Sequence, residues 1–211
     1  MTILLGLASL LASLVYGVYF CKQPPTTLKT NVKTVSVASL ALLALVLGTP
    51  PLLVLALGFS ALGDYFISRA GDNSFLAGMA AFLMAHLAYV ALFLSYGEPA
   101  QVLQRWQWAL LLVVLAAGLL WLIWRGLGRF RGPVIVYTLV ILSMGLSAFS
   151  LPAKGGPLLM LTGACLFILS DAVLAVEKFA RPQIGRAALA HAVWSFYWLA
   201  QVLILLGVLT A

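Results

Sequence analysis

Apolar residues run along this chain in long blocks separated by short polar breaks. The blocks cover about residues 2–20, 32–48, 51–69, 74–96, 107–124, 133–150, 156–177 and 187–209. A helix that crosses a bilayer needs roughly 20 apolar residues, so the pattern predicts eight transmembrane helices. The breaks read KQPPTT, GTPP, RAGDN, YGEPAQ, RGLGRFRGP, LPAKGGP and EKFARPQIGR, where Pro and Gly interrupt helical continuation. The first block begins at residue 2 with no basic segment before it and no small-residue cleavage site before Cys21. It reads as a retained helix rather than a signal peptide. The expected fold class is all-α: a polytopic membrane protein with one integral membrane domain over residues 1–211.

Charge orients this arrangement. The odd-numbered breaks hold Lys22, Lys29, Lys33, Arg69, Arg125, Arg129, Arg131, Lys178, Arg181 and Arg186, and the even-numbered ones only Arg105 and Lys154. Basic loops stay in the cytoplasm, which predicts cytoplasmic odd loops and both termini outside. Composition agrees: 64% of residues are hydrophobic and 8% charged, against about 25% charged in soluble domains. The net charge of +7 is therefore a topological signal and implies no nucleic-acid partner. The expected location is the cell membrane, the inner membrane of a bacterium. Cys21 and Cys165 are too few and too far apart for a disulfide framework or a metal site.

The second half echoes the first. FSALGD at residues 59–64 and FILSD at 167–171 each precede a short charged loop and a helix with one histidine, in AHLAY (His86) and AHAVW (His191). These are the chain's 2 histidines. Helices three and four thus resemble helices seven and eight. A separation of four spans gives both units one orientation, and a four-plus-four parallel repeat with halves of about 1–100 and 101–211 is expected.

The repeat pairs Asp64 with Asp171. Asp64 precedes Arg69 by five residues and Asp171 precedes Lys178 by seven, which places them roughly 8 and 10 Å inside the cytoplasmic boundary at 1.5 Å per residue. His191 falls at the same level and His86 nearer mid-membrane. An ionisable side chain costs about 2.5–3.5 kcal/mol to insert even on a lenient scale, which makes it a functional candidate. The plain alternative is a helix-end acid reached by water or paired with a loop lysine. Two carboxyls in one dry pocket would separate into an acid and a base. On the last helix His191, Trp194, Trp198 and Gln201 share a face, with Tyr197 beside it. Phe82, His86, Tyr89 and Phe93 form a similar stripe. Ser60 and Ser170 neighbour the acids, and each hydroxyl is expected to bond either a carboxylate or, in preference, its own helix backbone. Lys22, Lys29 and Lys33 serve as a topology signal or bind a lipid phosphate. Tyr137 is a buried phenol that needs a hydrogen-bond partner. The sequence holds no nucleophile elbow, HExxH motif or phosphate-binding glycine loop, and no metal or other cofactor is expected.

CKQPPTT, GFSALGDYFI, FLAGMAAFLMAHLAYVALF, PVIVYTLVILSMGLSA, GACLFILSDAVLAVEKF and YWLAQVLILLG occur in that order. In these motifs, over about residues 20–207, the chain resembles the lysoplasmalogenase family of YhhN-like membrane proteins. The resemblance implies hydrolysis of the vinyl ether bond of a lysoplasmalogen, a lysophospholipid held within the membrane. The products would be a fatty aldehyde and glycerophosphocholine or glycerophosphoethanolamine. The family's two intramembrane aspartates fall on Asp64 and Asp171. Its Lys-Pro motif is altered here, since Gln23 separates Lys22 from Pro24. Lys22, Ser60, His86, Tyr89, Tyr137, His191, Trp194, Tyr197 and Gln201 are the expected lining residues. The acid and base roles of the two aspartates are not assigned by sequence. A proton-coupled small-molecule or lipid transporter or flippase would use the same acids. Against it, helices three and seven lack the breaks of a transport helix.

Overall fold

The computed structural model describes residues 1–180 and 186–211. Arg181 and the side chain of Arg186, both used in the charge count, lie outside what it describes. Among the described residues the regular structure is helical throughout. The helices are α1 (Thr2–Val15), α2 (Thr27–Val46), α3 (Pro51–Ile67), α4 (Asp72–Tyr96), α5 (Pro99–Gln104), α6 (Trp106–Ile123), α7 (Arg131–Ala148), α8 (Gly155–Phe179) and α9 (Arg186–Leu209). Each expected apolar block falls on a helix. Outside these blocks α5 forms between the fourth and fifth, starting in the expected break YGEPAQ and running past it to Gln104. Pro99 occupies its first turn, where a missing N–H leaves no bond unmade.

Among the described residues, seven helical stretches are long and apolar enough to cross a membrane, α1 being counted with the helical turns that continue it to Phe20. The chain is a multi-pass integral membrane protein of the all-α class. The remaining expected span, α3, is apolar but has 17 residues, about 25 Å at 1.5 Å per residue. That is the lower end of what spans a hydrocarbon core of about 30 Å. Exposed side chains such as Val114, Leu115 and Trp121 on α6 suit contact with lipid tails, which are as apolar as they are.

Two compact units divide the chain, Met1–Leu92 and Phe93–Ala211. In the first, α1 packs on α2 and α2 on α3. The last turns of α1 widen over Tyr16–Phe20, with the Cys21 N–H donating to the Tyr16 carbonyl at 2.8 Å. Tyr16, Phe20 and Cys21 are buried there. Pro24 and Pro25 end the helix, and α2 starts at Thr27, five residues before the apolar block. The Thr26 hydroxyl caps it by accepting the Lys29 N–H at 3.1 Å. Lys29 and Lys33 consequently stand on a helix, which corrects their reading as loop residues. Between α3 and α4 the approach is close: a Cβ on Gly63 would lie 2.6 Å from the Phe82 ring.

In the second unit α8 and α9 form a tightly packed pair. Gly156 and Gly207 let the two backbones meet, since a Cβ on Gly207 would stand 2.7 Å from the Gly156 carbonyl oxygen. Such small residues are how helices approach closely in lipid. Arg105, after α5, donates through Nη1 to the carbonyls of Phe149 at 3.0 Å and Leu151 at 2.8 Å. It thereby caps the C-terminal end of α7, where a cation also suits the helix dipole. At the far end of α6 a Cβ on Gly126 would collide with the Phe179 carbonyl, so the end of α6 rests against the end of α8.

Candidate functional site: two helix carboxyls with different partners

Asp64 sits one turn before the end of α3, and its side chain is 0% exposed. Lys33 Nζ lies 3.1 Å from its Oδ1 and is itself 11% exposed. The Ser68 hydroxyl donates to the Asp64 carbonyl at 2.7 Å and closes the last turn. The Tyr16 ring lies beneath both lysines, with its centroid 5.6 Å from Lys33 Nζ and 5.9 Å from Lys29 Nζ, a geometry in which the ring face attracts cations. Lys29 donates to the carbonyl of Gln23 at 2.6 Å and to that of Cys21 at 3.4 Å. The two lysines therefore divide: Lys29 ties down the turn that follows α1, and Lys33 meets the carboxylate. Lys22, the expected substrate contact, is exposed.

The sequence names Lys33 only among the basic residues after the first helix, and the pair it forms with Asp64 matches the plain alternative of an acid paired with a lysine. The signal for Lys33 was register. Thr30, Val37, Leu40 and Ala44 are buried along one face of α2, and Lys33 falls on that stripe at spacings of three and four. Counting it as a loop charge hid the pattern. The other expected members of this unit are buried: Ser60 one turn before Asp64, and His86 and Tyr89 on α4. His86 Nδ1 donates to the carbonyl of Phe82 at 2.6 Å. The same Phe82 presents its ring to Gly63, beside Asp64.

Asp171 has different surroundings. It is half-buried on α8, and the Tyr137 hydroxyl from α7 donates to its Oδ2 at 2.9 Å. The partner expected for the phenol is thus the second aspartate. Ser170 departs from expectation. Its hydroxyl crosses to α9 and donates to the Val193 carbonyl at 2.9 Å rather than bonding within its own helix. A buried serine at a close helix crossing finds the nearest neighbouring carbonyl, and its own helix is then left undistorted.

On α9, Trp194, Tyr197 and Gln201 are buried, whereas His191 and Trp198 are half-buried. The expected face is therefore rotated, with Tyr197 rather than Trp198 at its centre. A Cβ on Gly163 of α8 would come within 2.8 Å of the Ala200 carbonyl oxygen, and this close crossing turns the 197–201 arc inward. Phe167 meets Tyr197 edge to face at 5.3 Å, and Trp194 lies 5.8 Å from Tyr197. Such ring pairs contribute about 0.5–1.5 kcal/mol beyond their burial, and Phe167 lies one turn before Ser170 and Asp171 on α8. Among the described residues no three His, Cys, Asp or Glu side chains gather as a metal-binding group. What each unit offers is a carboxyl inside a helix, with an ammonium group at Asp64 and a phenol at Asp171. Proton transfer and stabilisation of a developing positive charge are the chemistry such groups perform.

The YhhN family model matches residues 28–208. A Mycobacterium tuberculosis protein named Lysoplasmalogenase is 30% identical to this chain, over 93% of the chain and 80% of its own length. The Bos taurus protein named Lysoplasmalogenase TMEM86A is 33% identical, over 71% of this chain and 61% of its own length. The Homo sapiens protein named Lysoplasmalogenase TMEM86B is 36% identical, over 77% and 65% respectively. No solved structure matches this chain.

Proposed function

The chain belongs to the YhhN family, and from that premise we propose that it is a lysoplasmalogenase, an intramembrane hydrolase of the vinyl ether bond of lysoplasmalogens. Its substrate would be a single-tailed 1-alkenyl glycerophospholipid with a choline or ethanolamine headgroup. The products would be a fatty aldehyde and the glycerophosphodiester. The observation that carries this reading is the likeness, along nearly the whole chain, to proteins of that name.

The chemistry needs two carboxyl roles. A vinyl ether opens when its β-carbon takes a proton, leaving an oxocarbenium ion. Water then adds to the cationic carbon and gives up a proton. The hemiacetal so formed breaks its bond to the glycerol oxygen, which takes the hydroxyl proton as the aldehyde departs. Glycoside hydrolysis divides acid and base between two carboxyls for an oxocarbenium-like transition state in the same way. Asp64 and Asp171 are the residues we assign to these roles. The acceptor of the Tyr137 hydroxyl and the partner of Lys33 are the carboxyls in question, and the reaction as written needs no metal. His86 and Tyr89, in the unit of Asp64, and His191, Trp194, Tyr197 and Gln201, in the unit of Asp171, are proposed as lining residues. With odd loops in the cytoplasm, both carboxyls would lie just below the headgroups of the inner leaflet, at the depth of the alkenyl bond. The membrane would be the bacterial inner membrane.

Purified protein in detergent, given a defined lysoplasmalogen and no ion gradient, should release aldehyde, and Asp64→Asn and Asp171→Asn should each abolish it. Substrate uptake into proteoliposomes without aldehyde release would replace this reading with transport. Full hydrolysis by either Asn variant would remove the two-carboxyl mechanism.

A further inference from the structure

The two aspartates occupy equivalent positions in the sequence, yet their partners differ in kind. Asp171 accepts from a neutral phenol. Asp64 faces an ammonium group 3.1 Å away, on a side chain that α2 carries into the interior from its buried face. Two features hold Lys33 there. The Tyr16 ring stands below its Nζ at 5.6 Å, and Lys29, one turn before it, is tied to the carbonyls of Gln23 and Cys21. Around the pair the interior of this unit is rich in hydroxyls: Ser13 on α1, Thr30 and Ser36 on α2 and Ser60 on α3 are all buried. Ser36 lies one turn deeper than Lys33 and donates to its carbonyl at 2.7 Å, and Ser60 lies one turn deeper than Asp64. Buried hydroxyls thus stand on three helices of this unit, which also holds an ion pair that apolar residues would replace without loss of stability. A buried pair kept under those conditions fits a functional role better than a purely structural one.

We propose that Lys33 is a positioning residue of the reaction: it keeps Asp64 as the carboxylate that stabilises the oxocarbenium ion and accepts the proton of the attacking water. In that step the water oxygen bonds to the cationic carbon, one O–H bond breaks, and the proton passes to Asp64. Protonation of the vinyl ether then falls to Asp171. Lys33 acts through Asp64 and does not touch the substrate. The inference rests on the lysoplasmalogenase reading above.

The test uses full-length protein in detergent, with a 1-alkenyl glycerophosphoethanolamine as substrate and aldehyde release as readout. Lys33→Met should lower kcat on the order of a hundredfold, the scale of removing one preorganised charge, while KM moves less than about threefold, because no substrate contact is lost. Lys33→Arg, which keeps the cation, should recover kcat to within about tenfold of the parent by the same reasoning. Infrared spectroscopy gives a readout independent of turnover. Lys33→Met should gain the carbonyl stretch of a protonated carboxyl, and Lys33→Met combined with Asp64→Asn should lose it again. A Lys33→Met protein with parental kcat, or one whose KM rises while kcat stands, overturns the proposal. The second result would make Lys33 a phosphate contact instead. A Lys33→Arg protein that elutes and melts like the parent but stays as slow as Lys33→Met overturns it too. A parent that releases no aldehyde removes the hydrolase reading itself and this role with it, whereas an active parent with an unaffected Lys33→Met removes only the role of Lys33.

Discussion

The Lys33–Asp64 pair makes a stability prediction that stands apart from catalysis. The two charges are 3.1 Å apart, which at an effective dielectric of about 20 amounts to an attraction of about 5 kcal/mol. Withdrawing both ions from water costs several kcal/mol each, so the intact pair is close to neutral overall. Cutting one partner is another matter, because the stranded charge keeps its desolvation cost. Lys33→Met leaves Asp64, 0% exposed, to take up a proton in order to escape that cost, and the lost attraction together with this proton uptake should destabilise the protein by about 3–5 kcal/mol. Asp64→Leu should cost less than Lys33→Met, because Lys33 stands two turns from the start of α2 and its flexible stem can carry the ammonium toward the headgroups. Lys33→Met combined with Asp64→Leu strands neither charge and should lie within about 1 kcal/mol of the parent. Thermal unfolding in detergent, followed by circular dichroism, reads all four proteins, and the double-mutant cycle isolates the coupling. A Lys33→Met protein as stable as the parent, or a double variant whose loss equals the sum of the two single losses, would falsify the reasoning.

Three other outcomes can be measured. Tyr137→Phe removes the 2.9 Å hydrogen bond to Asp171; a bond between a phenol and a protonated carboxyl is worth about 0.5–1.5 kcal/mol, so aldehyde release should slow by roughly two- to tenfold with little change in expression. Gly207→Ala drives a methyl group against the Gly156 carbonyl, where backbone has nowhere to retreat, and the melting temperature should fall by an amount corresponding to about 1–3 kcal/mol. Reporter fusions at the two termini should show both outside the cytoplasm, as the distribution of Lys and Arg requires; a cytoplasmic C-terminus would undo the assigned orientation.

The helices were legible because the bilayer imposes a coarse rule. Any span must satisfy its backbone internally over a fixed length, so block lengths and Pro- or Gly-rich breaks sufficed to locate each long helix to within about five residues, while the short α5 was not expected. Asp64 and Asp171 were legible for the same reason: in blocks so apolar, an acid stands out without knowledge of its neighbours. Tyr137 was recognised as a phenol needing a partner, but the identity of that partner was not. What sequence alone determined is thus the all-α membrane class, the helix positions, and the residues whose burial would be costly. Tertiary structure decided the pairings. Lys33 reads in the sequence as a basic residue at the edge of the 32–48 block, and only the α2 register, capped at Thr26, sets it on the buried stripe. Ser170 bonds across to Val193 because α8 and α9 pack closely enough for it to reach, and Tyr197 displaces Trp198 from the interior through the same close crossing. Two aspartates in matching sequence contexts acquired unlike partners, Lys33 and Tyr137. A side chain's electrostatic surroundings are set by the helices packed against its own, and those helices are far away in the chain.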